Sequence, residues 1–160
     1  MRVTVIGLGL IGGSFALALR AKGIATEVVG VEANPLHAAK ALELGIADSV
    51  LPLAEAIEGS ELIAIAVPVD AIPQLAVKIL NRVTEHQIVI DMGSTKGELC
   101  EIISQHPARS RFVATHPMWG TEFSGPEAAT ADSFAGRNVV ICQKELSDPE
   151  AVEKVENIYR

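Results

Sequence analysis

Val3-Thr4-Val5-Ile6-Gly7-Leu8-Gly9-Leu10-Ile11-Gly12 stands at the head of the chain and runs at once into an Ala/Leu-rich helical stretch. A β-branched run that breaks into G-x-G-x-x-G and then into a helix is the fingerprint of a dinucleotide-binding βαβ unit. Each glycine has its own reason: Gly7 allows the tight turn, Gly9 lets backbone approach a pyrophosphate, and Gly12 lets helix and strand pack closely. Amides at the helix start, those of Leu10 and Ile11 among them, are expected to hold the diphosphate with the help of the helix dipole, so no lysine is needed.

That motif is a weak signal by itself. It gains weight from Glu32, which follows the second β-branched run, Glu27 to Val31, about twenty residues past Gly12, where such a unit places an acid on the adenosine ribose. A 2′-phosphate would meet Glu32 as a like charge, a repulsion of roughly 3 kcal/mol per unit charge at about 5 Å for an effective dielectric of about 20. Ala33, Asn34, Pro35 and Leu36 supply no Arg or Lys to offset it, so the expected cofactor is NAD rather than NADP.

Outward from this unit, β-branched runs alternate with helical pattern. The runs are Val3 to Ile6, Glu27 to Val31, Glu61 to Val67, Gln87 to Asp91, Arg111 to Ala114 and Asn138 to Cys142; the helices span Ile11 to Lys22, Pro35 to Leu44, Leu53 to Glu58, Asp70 to Leu80, Lys96 to Ser104 and Asp148 to Arg160. Several runs are apolar without alternation, as strands covered on both faces should be. Asn34-Pro35 and Asp148-Pro149 each place a side-chain cap before a first-turn proline, and Asp70 reads as a further cap. The expected fold is α/β, a Rossmann-type doubly wound, mainly parallel sheet with helices on both faces.

The chain has 160 residues, 49% of them apolar but only 4% aromatic, so an aliphatic core is expected. A single domain of this length buries roughly 68–70% of its unfolded surface. Residues 1–160 therefore read as one NAD-binding domain. Thirteen Lys plus Arg against 20 Asp plus Glu give a net charge of −7, which argues against a nucleic-acid partner. Cys100 and Cys142 form no C-x-x-C and have no His nearby to complete a metal set, so they read as buried thiols of a cytoplasmic protein with no metal. The uncharged stretch Val3 to Leu19 is glycine-interrupted and short for a span, and no membrane association or secretion is expected. The last helical pattern has no terminator, which reads as a chain cut before its natural end.

Ligands of open parallel sheets lie beyond the carboxyl ends of the strands. The segments there are Ala66-Val67-Pro68-Val69, where Val67 and Pro68 turn over the cofactor; Asp91-Met92-Gly93-Ser94-Thr95-Lys96; and His116-Pro117-Met118-Trp119-Gly120-Thr121-Glu122-Phe123-Ser124-Gly125. A histidine at a strand end beside the cofactor is the best general-base candidate in the chain. His37, His86 and His106 read as solvated.

These segments, taken with G-L-G-L-I-G-G-S at residues 7–14, resemble in order and spacing the prephenate/arogenate dehydrogenase family of tyrosine biosynthesis, from Val3 to about Cys142. The resemblance implies NAD-dependent oxidative decarboxylation of prephenate or arogenate. It makes His116 the catalytic histidine and Ser94 a second catalytic group that touches substrate hydroxyl, histidine and nicotinamide. It puts Glu122 in a gating ion pair with a basic residue of another segment, and places Thr121 and Lys96 with it on the substrate side.

Two departures stand beside the likeness. Trp119 occupies a position where many relatives carry alanine, narrowing or capping the pocket. Family members also continue into an all-helical domain that dimerises and supplies arginines for the substrate carboxylates, and these 160 residues offer no bidentate arginine pair. Two other readings stand beside it: a β-hydroxyacid or imine reductase, which explains residues 7–32 equally well but gives no reason for H-P-M-W-G-T-E, and a non-catalytic NAD-binding module, which predicts binding without chemistry.

Overall fold

The computed structural model describes residues 1–160. Its strands are β1 (Arg2–Ile6), β2 (Glu27–Val31), β3 (Ser49–Val50), β4 (Leu62–Ile65), β5 (Ile88–Asp91), β6 (Phe112–Pro117) and β7 (Val139–Cys142). Its helices are α1 (Leu10–Ala21), α2 (Pro35–Glu43), α3 (Leu53–Ala56), α4 (Ile72–Leu80), α5 (Gly97–Ile103) and α6 (Pro149–Tyr159). All strands join one sheet in the order β3-β2-β1-β4-β5-β6-β7, parallel except for β7, which runs antiparallel to β6. The doubly wound fold expected from the sequence is the one observed. Its strand order departs in opposite directions from the neighbours β1 and β4, which is the switch point where such sheets open a crevice.

Burial explains the composition. β4 reads Leu-Ile-Ala-Ile and is buried throughout, because helices cover both of its faces. One face packs on α1 and α6 through Phe15, Leu19 and Val155; the other packs on α4 and α5 through Ile72, Ile79 and Leu99. Phe15 and Phe112 are the only aromatic rings among the largest fully buried side chains, so the core is aliphatic as expected.

Four local expectations change. β3 is two residues long, too short to leave a periodic signal, and lies at the sheet edge. β6 continues past Ala114 to Pro117 because β7 pairs with it, His116 opposite Val140 and Pro117 opposite Val139. His116 is thus the penultimate residue of the strand rather than the second residue after it. Asp70 caps nothing: it sits in a 3-10 turn, Val69–Ala71, and α4 starts from Ala71 without a side-chain cap. His106 is bound rather than free, with Nε2 3.0 Å from Asn81 Oδ1 and Nδ1 accepting from the Ala108 amide. The Asn34 and Asp148 caps form as expected. No helix is long and apolar enough to cross a membrane.

One surface ion pair yields a pH prediction. The Val28 amide donates to Asp48 Oδ2 at 2.7 Å and Arg20 reaches the same oxygen at 2.7 Å. First that backbone hydrogen bond, then the guanidinium, hold the Asp48 carboxyl below its usual range. Its contribution is therefore complete above the unfolded carboxylate value of about 3.9 and is lost as pH falls through the lower folded value. Asp48→Asn should melt lower than the parent at pH 6, by up to about 1 kcal/mol at this exposed position. The gap should close as the pH is lowered below about 4; a gap independent of pH in thermal melts contradicts the assignment.

Candidate active site

The crevice between β1 and β4 is built by the glycine turn. Gly7 sits at φ +90°, and a Cβ there would lie 2.5 Å from the Ala66 carbonyl oxygen. A Cβ on Gly12 would lie 1.9 Å from the Gly7 carbonyl oxygen and 3.1 Å from Val5 Cγ1, so α1 rests on β1 with no room for a methyl group. At Gly9 a Cβ would meet nothing within 4 Å. Two glycines are thus demanded by the protein's own packing, whereas the third faces open space at the start of α1. No side chain caps that helix end, whose first amides have no intrahelical partner. A backbone cradle with free N–H groups and the positive end of a helix fits a diphosphate.

Glu32 ties this turn together. Its Oε2 accepts from the Leu8 amide at 2.8 Å and its Oε1 from the Asn34 amide at 2.9 Å. The half-buried carboxylate therefore clamps the glycine turn to the start of α2. Each oxygen keeps a lone pair for a further donor, such as a ribose hydroxyl. Leu8 is fully buried against Gly30, where a Cβ would fall 2.5 Å from Leu8 Cδ1. Val67 closes the other wall, its Cγ1 3.2 Å from an ideal Cβ on Gly7, and exposed Pro68 leads the chain away into α4.

The ends of β5 and β6 form the second half of the site. Asp91 pairs with Ala114 across the ladder; the half-buried His116 lies two residues past Ala114 on β6, and Ser94 three residues past Asp91 in the turn after β5. Alternation along β6 puts His116 on the face of Ala114, while Thr115 points to the opposite face and meets the Tyr159 hydroxyl at 3.3 Å. Ser94 is exposed, and its hydroxyl caps no helix, since α5 begins from Lys96 without a side-chain cap. The structure thus brings His116 and Ser94 to neighbouring strand ends.

Lys96 is turned inward rather than towards solvent. Its ammonium pairs with the Asp91 carboxylate and donates to the Gly93 carbonyl oxygen at 2.7 Å. The Asp91 side chain is fully buried, and that burial pushes its carboxyl above the ordinary range against the opposing pull of Lys96. Sequence reasoning passed over Asp91; an acid closing an otherwise apolar strand was the available signal.

Thr121 and Glu122 line a cleft of about 860 Å³ with Trp119, Phe123 and Arg137. Trp119 lines it with its ring 5.6 Å from that of Phe134. Arg137 is the basic residue available there to Glu122. Ser14 fastens the segment after this loop to α1, accepting from the Thr130 amide at 3.0 Å. Of the two thiols, Cys100 is buried, and burial pushes it up, away from nucleophilic use; Cys142 is half-buried.

The profile of the family described as prephenate dehydrogenase, nucleotide-binding domain, matches residues 15–160. The chain belongs to that family. The match starts after the glycine turn and runs through the His116 loop, which the reductase alternative leaves unexplained. Prephenate dehydrogenase of Bacillus subtilis is 31% identical over 164 aligned residues, covering 99% of this chain and 43% of that protein. Prephenate dehydrogenase of Aquifex aeolicus, solved with hydroxyphenyl propionate and NAD+, superimposes with a TM-score of 0.90 at 30% identity over 99% of this chain and 56% of its own. Arogenate dehydrogenase of Synechocystis gives a TM-score of 0.88 at 28% identity over 99% of this chain and 55% of its own. The chain thus spans about half the length of the relatives it matches.

Proposed function

We propose that this chain is the NAD-binding part of an enzyme that oxidatively decarboxylates prephenate or arogenate. The observation that carries the reading is a glycine turn in which Gly9 alone faces open space, with His116 and Ser94 at neighbouring strand ends on the same edge of the sheet. The amides of Gly9 to Gly12 hold the diphosphate, Glu32 takes the adenosine ribose, and Val67 and Pro68 bound the crevice beside it. Bound there, NAD would supply the acceptor for the hydride that leaves the ring carbon bearing the substrate hydroxyl. Neutral His116 accepts the proton of that hydroxyl. Ser94 hydrogen-bonds the same oxygen and keeps it in line with the imidazole. The ring carboxylate leaves as carbon dioxide, and aromatisation drives the step. The residues therefore need to position and to take one proton rather than supply a strong nucleophile.

The carboxylates of the substrate fall to arginines of the family's helical domain, with Glu122 and Thr121 at the entrance. This reading includes a homodimer formed through that domain and a cytoplasmic location, which the free thiols favour. The test is a titration of NAD and NADP, followed by assays with prephenate and with arogenate, on the chain alone and with the helical domain joined after it. NAD should bind in both forms, NADP at least tenfold more weakly, and turnover should require the helical domain. Preference for NADP with Glu32 intact overturns the cofactor assignment, and inertness of the joined protein towards both substrates overturns the reaction.

A further inference from the structure

Asp91 meets both loops that carry the proposed chemistry. Its Oδ2 pairs with Lys96 and accepts from the Gly93 amide at 3.0 Å, closing the turn that holds Ser94. Its Oδ1 accepts from the Thr115 amide at 3.3 Å, and its backbone carbonyl accepts from the Thr115 hydroxyl. Thr115 is the residue immediately before His116. A single buried carboxylate thus ties the Ser94 turn to the strand end that aims the imidazole, and its charge is balanced by an ammonium that has no other anionic partner.

Burying an ion pair is a poor way to gain stability, because desolvation of both charges offsets their attraction. At the end of an otherwise apolar strand a hydrophobic residue would pack at lower cost. What the pair provides is direction: three donors converge on one carboxylate and tie the Ser94 turn to β6 beyond Asp91–Ala114, the last β5–β6 pair, where only β7 still pairs with β6. Glu32 also joins two segments, but it is only half-buried and does so through backbone amides without a cation.

Resting on the dehydrogenase reading above, we propose that Asp91 and Lys96 act as one positioning unit that sets the distance between His116 and Ser94, and that Lys96 works through Asp91 rather than by touching substrate. Asp91→Asn keeps the shape and an acceptor but ends the ion pair; Lys96→Met ends it from the other side. In the protein with its helical domain, each variant should lower kcat at least tenfold while KM for substrate stays within threefold and the NAD dissociation constant within twofold. The double variant should be no worse than either single one within a factor of two, because a unit can be broken only once.

A rise in KM confined to Lys96→Met, or losses that multiply in the double variant, would show Lys96 on the substrate and overturn the proposal. Unchanged kcat in Asp91→Asn that still folds overturns it as well, as does a fall in melting temperature with all constants declining together. A second readout does not depend on turnover: carbethoxylation of His116, followed by peptide mass spectrometry. Saturating NAD should protect His116 in the parent chain, and in Asp91→Asn that protection should fall to less than a third. Protection in the parent without any turnover would refute the assigned reaction while leaving the positioning unit standing. Equal protection in parent and variant, or none in the parent, overturns the unit itself.

Discussion

His116→Asn is expected to reduce turnover of prephenate or arogenate by about 10²–10⁴-fold, the span typical of losing a positioned general base. Asparagine can occupy the half-buried place at the end of β6 and still hydrogen-bond the substrate hydroxyl, but it cannot take the proton. The glycine turn, Glu32 and Val67 are built on β1, β2 and β4, so the NAD dissociation constant should stay within about twofold. The paired measurement is isothermal titration of NAD and steady-state kinetics on the protein with its helical domain. Retained turnover would remove His116 from the mechanism. Loss of folding would make it a structural residue of the β6–β7 ladder, in which it faces Val140.

The second large effect separates two glycines of one motif. Gly12→Ala places a methyl group 1.9 Å from the Gly7 carbonyl oxygen, a position no relaxation of a flexible side chain can clear because the obstacle is backbone. α1 must lift from β1, and the expected cost is about 3 kcal/mol or more. Gly9→Ala meets nothing within 4 Å and sits at φ −76°, a value alanine adopts freely. Its cost to stability should stay below about 1 kcal/mol, the ordinary loss at a helix N-cap. Yet its methyl group projects into the space assigned to the diphosphate, so NAD affinity should fall at least tenfold in a protein that melts almost normally. Equal melting of the two variants would mean that the turn is looser than described; undiminished NAD binding by Gly9→Ala would move the diphosphate elsewhere.

What the sequence disclosed and what it withheld follow one physical division. The glycine turn and the Asn34 and Asp148 caps are local: each is decided within a few residues by steric or hydrogen-bonding needs of the backbone, and each forms as read. The extension of β6 through His116 depends on β7, more than twenty residues later in the chain and running antiparallel, so nothing near His116 announces it. Asp70 shows the converse error, a good capping residue before a helix that the chain enters through a 3-10 turn instead. The Asp91–Lys96 pair joins residues five apart, but its meaning comes from Thr115 on the neighbouring strand, a contact that only the sheet order creates. Thr121 and Glu122 share a cleft with Arg137, a neighbour that the fold of the loop and not its sequence brings to them.

A structure of this chain with NAD bound tests the account most directly. The diphosphate should lie on the amides of Gly9 to Gly12, the adenosine ribose on Glu32, and the nicotinamide ring within van der Waals contact of the His116 imidazole on the Ser94 side. A dinucleotide lodged in the cleft between Trp119 and Arg137, or a nicotinamide ring out of reach of His116, would contradict it.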